Sequence, residues 1–198
     1  MKRVIVAVDS FKGSLTSAEA NLAVESGINA LYPECDVKKV SVADGGEGTT
    51  AAIIETLSGE WREVEVHDPL MREIKAKYGI INGGKCAVIE VASASGLTLL
   101  SNNERDPLKS SSYGFGEMID DAINLGCREF IIGIGGSATC DAGVGMLEAL
   151  GYRFFDGNGD EIKGLCGGKL SDIKEIRDGN PLIKECLSKV ACDVENPL

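Results

Sequence analysis

Carboxylates recur in this chain where a predicted strand gives way to a polar, often glycine-rich, stretch. Asp9 follows the run Val4–Val8 and opens Asp9-Ser10-Phe11-Lys12-Gly13-Ser14. Asp44 follows Val37–Val42 and opens Asp44-Gly45-Gly46-Glu47-Gly48-Thr49. Asp193 lies in the run Lys189–Val194, just before Glu195-Asn196-Pro197. The longest such stretch, Phe130–Gly151, sets Gly133, Gly135 and Gly136 around Ser137, Thr139 and Asp141. A glycine-rich loop at a strand end can turn its N–H groups outward and lead into a helix N-terminus, where anions are favoured. A phosphate or carboxylate is the natural guest. Phosphoryl transfer needs phosphate-binding donors, carboxylates for a metal, and a group to orient the acceptor hydroxyl. Asp9, Asp44, Asp141 and Asp193, with Lys12 and the loop glycines, supply those types.

Other chemistries fit less well. The Walker A pattern and the protein-kinase H-R-D and D-F-G sets are absent from the sequence. A Ser–His–Asp mechanism is disfavoured because the single histidine, His67, falls in a predicted surface strand. The rival is NAD-type dinucleotide binding. Gly133-Ile134-Gly135-Gly136-Ser137-Ala138 matches G-x-G-x-x-[GA] after a strand, and Asp156 follows at about the distance of a ribose-binding acid. That reading leaves the turns at Asp9 and Asp44 unexplained.

The elements that must position these residues follow from periodicity. Val4–Val8 reads as a strand buried on both faces of a parallel sheet, and Val37–Val42 as the next strand. Between them Thr16 and Glu19 make a capping box for a helix with Ala20, Ala23, Val24, Gly27, Ile28 and Leu31 on one face, stopped by Pro33. A second helix passes through Ile53, Ile54 and Leu57 and closes at Gly59. Alternation at Val64 and Val66, then from Ile74 to Ile80, and a turn at Asn82-Gly83-Gly84 predict antiparallel hairpins. In Lys85–Ala92, Glu90 is expected to face solvent. A helix with Phe115, Met118, Ile119, Ala122 and Ile123 as its core stripe ends at Gly126. A hairpin over Tyr152–Ile162 and a short helix through Leu170, Ile173 and Ile176 come before the last strand. The fold class is α/β: a Rossmann-like parallel lobe begun by residues 1–62, and a second lobe with a mixed sheet over 63–198. Open α/β sheets bind ligands at the C-terminal ends of their strands.

At 198 residues the chain can bury a core, and 43% hydrophobic with 26% charged residues is ordinary for a globular protein. A net charge of −11 argues against nucleic acid. No apolar run reaches the ~20 residues of a membrane span. The 7 cysteines include no C-x-x-C pair, and their odd count with the lack of a signal peptide points to reduced thiols in the cytoplasm. Cys86 and Cys192 read as core filler.

Five blocks carry a resemblance: VDSFKGSLTSAEA (8–20), SVADGGEGTT (41–50), YGFGEMI (113–119), IGIGGSATCDAGVGMLEALG (132–151) and VACDVENPL (190–198). In order and spread they resemble the bacterial glycerate kinase family. The resemblance implies ATP-dependent phosphorylation of D-glycerate with Mg²⁺, at a site between two α/β lobes. It implies that Lys12 neutralises phosphate charge, and that Asp9, Asp44 or Asp193 hold Mg²⁺ or orient the glycerate hydroxyl. Gly45, Gly46 and Gly48 would serve the nucleotide. Ser10, Gly135, Gly136, Ser137, Thr139 and Asp141 would line the substrate site, where Arg105 could clamp the glycerate carboxylate. Similar family members continue past the last block, so the chain reads as a truncated kinase. An inactive fragment is therefore a further alternative, and uncovered apolar surface would favour a homo-oligomer.

Overall fold

The computed structural model describes residues 3–11, 14–42, 45–46 and 48–192. β1 (Arg3–Val6) and β2 (Asp36–Lys39) pair in parallel, Val4 opposite Val37, and α1 (Ser17–Leu31) connects them. The capping box is present: Thr16 Oγ1 accepts from Glu19 N, and Glu19 accepts from Thr16 N. Burial on both strand faces is not observed. Val6 is buried, but Ile5 is 65% exposed, because α1 covers one face only and no described residue covers the other. The predicted apolar face of α1 is likewise open: Ala20 is buried, while Val24 and Leu31 are exposed.

Both strands are shorter than the predicted runs Val4–Val8 and Val37–Val42, and a buried polar residue explains how the remainders are held. Asn21, on α1, accepts from Val8 N at 2.9 Å and donates to Val40 O at 3.1 Å. Ser17 Oγ donates to Val8 O at 2.6 Å and accepts from Val42 N at 3.3 Å. The helix thus fixes the C-terminal ends of both strands through side chains.

The larger sheet has the order β10-β6-β5-β4-β3. β3 (Glu60–His67), which contains the expected boundary near residue 62, and β4 (Glu73–Ile81) form an antiparallel hairpin. β5 (Cys86–Glu90) is antiparallel to β4 but parallel to β6 (Glu129–Gly133), and β6 is parallel to β10 (Leu187–Ala191). Alternation along β5 divides its side chains between two layers. Ala87 and Ile89 join the main core with Tyr78, Phe115, Met118 and Phe130, beneath α4 (Tyr113–Asn124). Cys86 and Val88 join Ile54 of α2 (Thr49–Leu57) on the opposite face. Every residue of β5 is buried, Glu90 included, so the expectation of a solvent-facing Glu90 is overturned. A strand covered by helices on both faces has no solvent side to offer.

Smaller differences have local causes. The left-handed residue after α2 is Ser58, with φ 53°, and not Gly59. Gly59 is needed for space, since a Cβ there would lie 2.6 Å from Ile54 and Ile81 side-chain atoms. β7 (Arg153–Phe155) pairs with β8 (Glu161–Ile162), as the hairpin reading requires. It also pairs with β9 (Glu175–Arg177), and this places Ile176 in a strand while a 3₁₀ turn spans Gly167–Asp172. Cys86 is buried as expected, whereas Cys192 is exposed. Among the described residues no helix is long and apolar enough to cross a membrane.

One polar joint locks the hairpin to α4. Asp121 accepts from Arg62 Nε at 3.1 Å and Nη2 at 3.0 Å, and from the Tyr78 hydroxyl at 2.7 Å. Burial pushes the Asp121 carboxyl up, but the bonds from Arg62 and Tyr78 overcome it and hold the group below the usual aspartate range. Such a carboxylate contributes stability that is present above about pH 4 and lost as pH falls through its lowered value. Asp121→Asn should destabilise the fold by roughly 2 kcal/mol at neutral pH. It should also make the acid-side decline of Tm shallower, which thermal unfolding against pH will measure.

Candidate functional site

The parallel strands β5, β6 and β10 end side by side, at Glu90, Gly133 and Ala191. Across this edge runs the turn at Gly45–Gly46, which enters α2. Gly135 N donates to Gly45 O at 3.2 Å. A Cβ on Gly133 would stand 2.6 Å from Gly45 O, and one on Gly45, where φ is +89°, would stand 2.7 Å from Ala191 O. Gly135 would clash similarly with Gly46 Cα at 2.7 Å. The glycines here allow backbone to lie on backbone, and two motifs far apart in sequence become one surface.

The loop from 134 to 143 is pinned on its far side by the segment 92–112. α3 (Ala92–Ser95) follows β5, and Ser137 bridges Gly96: Leu97 N donates to Gly136 O at 2.9 Å and Ala138 N to Ser95 O at 2.8 Å. Ser137 Oγ and Thr139 Oγ1 share a hydrogen bond of 2.9 Å. Ser110 Oγ donates to Ala138 O at 2.9 Å. Arg105 is exposed and donates to Leu97 O at 3.4 Å, so its guanidinium is tethered to the residue that bonds Gly136. Arg72 steadies this segment. It bonds Asp68 at 2.5 Å, Glu104 at 2.7 Å and Leu99 O at 3.3 Å, and Asp68 is buried. Bonds from Ser101, reinforced by Arg72, hold the Glu104 carboxyl below the usual range.

Asp141 has a different place from the open anion site anticipated for it. It is 2% exposed and accepts from Ser112 N and Ser112 Oγ at 2.8 Å, Gly143 N at 3.0 Å and Gly145 N at 3.2 Å. A carboxylate surrounded by its own chain's donors shapes the loop and does not reach outward. It also delays the helix: α5 (Val144–Ala149) starts well after the glycines. The dinucleotide pattern at 133–138 therefore does not open directly into a helix, as that fingerprint requires. Its proposed acid, Asp156, closes the β7–β8 turn by accepting from Asn158 N at 2.8 Å and Asp160 N at 2.9 Å.

Of the remaining candidates, Gly135 uses its N–H on Gly45 O, so it is not a free donor. Gly136 N and Ser137 N have no acceptor among the described residues. Asp9 is exposed and accepts from Ser10 N at 2.7 Å. Ser10 and Gly48 line a cavity of about 300 Å³ with Phe11, Thr16, Val42 and Glu55. Lys12, Asp44 and Asp193 lie outside the described residues. Among the described residues no group of three or more His, Cys, Asp or Glu side chains could hold a metal ion. His67 bonds Glu117 at 2.9 Å, consistent with a structural histidine.

Two residues that the sequence reading did not place at the site belong to this edge. Glu90 Oε1 accepts from Thr50 N, in the first turn of α2, at 2.6 Å. Asn21 holds the ends of β1 and β2. Glu90 left a trace in the sequence, as one acid inside the apolar run Ala87–Ala92. Asn21 left only a polar residue beside the apolar face of a helix.

Comparison with known proteins gives a consistent result. A family model described as "Glycerate kinase family" matches residues 4–198. The "Glycerate 2-kinase" of Escherichia coli (strain K12) is 45% identical over 198 residues, covering 99% of this chain and 52% of that protein. The "Glycerate kinase" of Bacillus subtilis (strain 168) is 44% identical, with 99% and 52% coverage. A crystal structure from Salmonella typhimurium LT2, provisionally assigned as glycerate kinase 2, superposes with a TM-score of 0.85 at 42% identity. It covers 99% of this chain and 53% of that one. The chain thus spans about half the length of the curated relatives it matches.

Asp141→Ala would leave the Ser112, Gly143 and Gly145 donors without their acceptor. Thermal or urea unfolding should show a loss of about 3 kcal/mol or more, with loop 134–143 losing hydrogen-exchange protection.

Proposed function

From the chain's membership of the glycerate kinase family, we propose that the strand-end surface takes part in ATP-dependent phosphorylation of D-glycerate to a phosphoglycerate. The observation that carries the reading is the contact of Gly45–Gly46 with Gly133–Gly135. It joins a turn suited to a nucleotide's phosphates and a loop suited to a small carboxylate at one edge. Glycerate is a small anion whose hydroxyl must meet the terminal phosphorus in line, so catalysis rests on positioning and charge stabilisation.

In this reading Gly45, Gly46 and Gly48 accommodate the nucleotide by close backbone approach, beside the cavity lined by Ser10. Gly136 N, Ser137 N and the paired hydroxyls of Ser137 and Thr139 face the substrate. Arg105 takes its carboxylate, for which a planar guanidinium is better suited than an ammonium. Asp141 is reassigned from contact to support, since it holds the loop from beneath. Lys12 would neutralise phosphate charge, and Asp193 would hold Mg²⁺ or orient the glycerate hydroxyl. Mg²⁺ bound with phosphates needs only one or two protein carboxylates. Asp9 fits that requirement with its exposed carboxylate, and Asp44 is the second candidate. The ion would supply charge neutralisation on the phosphates.

A coupled assay for ADP release in the full-length protein tests this. The expected outcome is turnover that requires D-glycerate. Lys12→Ala, Asp193→Asn and Arg105→Met should each lower kcat/KM by about two orders of magnitude with the fold retained. For Arg105→Met the loss should fall mainly on the KM for glycerate. NAD binding without glycerate-dependent turnover would contradict the reading.

A further inference from the structure

Glu90 is a carboxylate buried to 9% exposure with no cation bonded to it among the described residues, which is unusual enough to require a reason. One oxygen, Oε1, accepts from Thr50 N at 2.6 Å. Oε2 has no hydrogen-bond partner among the described residues. Beside it, Thr50 is 3% exposed, and its Oγ1 is buried with no partner among the described residues. Both residues line one groove of about 320 Å³, together with Gly48, Ala51, Ser93 and Lys77. Lys77 and its neighbour Lys75 stand at the groove with exposed side chains, both near Glu63. Glu90 is also at the strand-end surface, since a Cβ on Gly133 would lie 3.5 Å from Glu90 Cγ.

A pure capping role does not explain these facts. Capping Thr50 N needs one neutral acceptor, which a glutamine would supply without burying a charge. It leaves Oε2 and the Thr50 hydroxyl unused. A ligand with a hydroxyl to donate and an oxygen to accept satisfies both. A small hydroxy acid is such a ligand.

We propose that Glu90 and Thr50 form the subsite for the acceptor hydroxyl, in which Glu90 Oε2 receives the hydroxyl's hydrogen bond and Thr50 Oγ1 donates to a neighbouring ligand oxygen. The inference rests on the hydroxy-acid kinase reading above and adds to it the group that aims the reacting oxygen. Glu90 bonds the first turn of α2 with its other oxygen, so it also ties the acceptor's position to the helix that follows the Gly45–Gly46 turn.

Steady-state kinetics on the full-length protein with Glu90→Gln and Thr50→Val test it. Glutamine keeps an acceptor for Thr50 N but loses the charge and the second acceptor. The expected result is a fall of about 100-fold in kcat/KM for D-glycerate, with the KM for ATP unchanged and Tm retained. Thr50→Val removes a buried hydroxyl that has no partner in the chain. It should raise the KM for glycerate by about fivefold or more without lowering Tm, so it remains decisive even if Glu90→Gln folds poorly. Near-native glycerate kinetics in both variants, with an active wild type, would overturn this subsite and leave the kinase reading intact. A wild type without glycerate-dependent turnover would overturn the kinase reading and the subsite with it.

Discussion

The candidate site depends on backbone meeting backbone without side chains between. Gly45 O accepts from Gly135 N, and side chains at Gly45, Gly133 or Gly135 would enter space held by main-chain atoms of the opposing segment. Overlap with backbone cannot be relieved by a rotamer change, so the glycines are a steric requirement. Through this contact the turn after β2 is seated on the ends of β6 and β10. α2 must then start where Glu90 can bond its first turn. The positions of two loops, a helix and a strand end therefore follow from one close approach.

Buried polar side chains make the remaining joints, and each is matched by specific donors. Asn21 links the ends of β1 and β2, Asp141 gathers the donors of its loop, and Asp68 receives Arg72 beneath the segment that carries Arg105. Hydrophobic burial holds the sheet between α2 and α4 but is tolerant of small shifts. Hydrogen bonds to buried groups are not, because a missed partner costs the full desolvation of the group. This difference explains why polar joints lie at the strand ends, where position matters, while the sheet interior is apolar.

The β1–α1–β2 unit contrasts with the five-stranded sheet. Ile5, Leu22, Val24, Leu31 and Tyr32 remain exposed, although the strands are parallel. Parallel pairs ordinarily depend on cover over both faces. Cohesion in this unit rests largely on α1, on Asn21 and on Ser17, so its order depends more on polar contacts than on a core of its own.

The capping box at Thr16, the hairpins after Trp61 and the apolar stripe of α4 were legible in the sequence because each depends on neighbours a few residues apart. The resemblance of the five blocks, likewise read from local order, identified the family. What distance in sequence conceals is which segments face one another. Glu90 looked like a solvent-facing residue because alternation along a strand says nothing of a second covering layer, and α2 supplies that layer. Asp141 looked like an anion-site residue because a glycine loop reads the same whether its carboxylate points outward or into Ser112 and Gly145. Local pattern determined the elements and the residue types at their ends. Only tertiary structure decided which of those residues are supports and which are open, because burial and hydrogen-bond partnership are properties of packed segments and not of a single one.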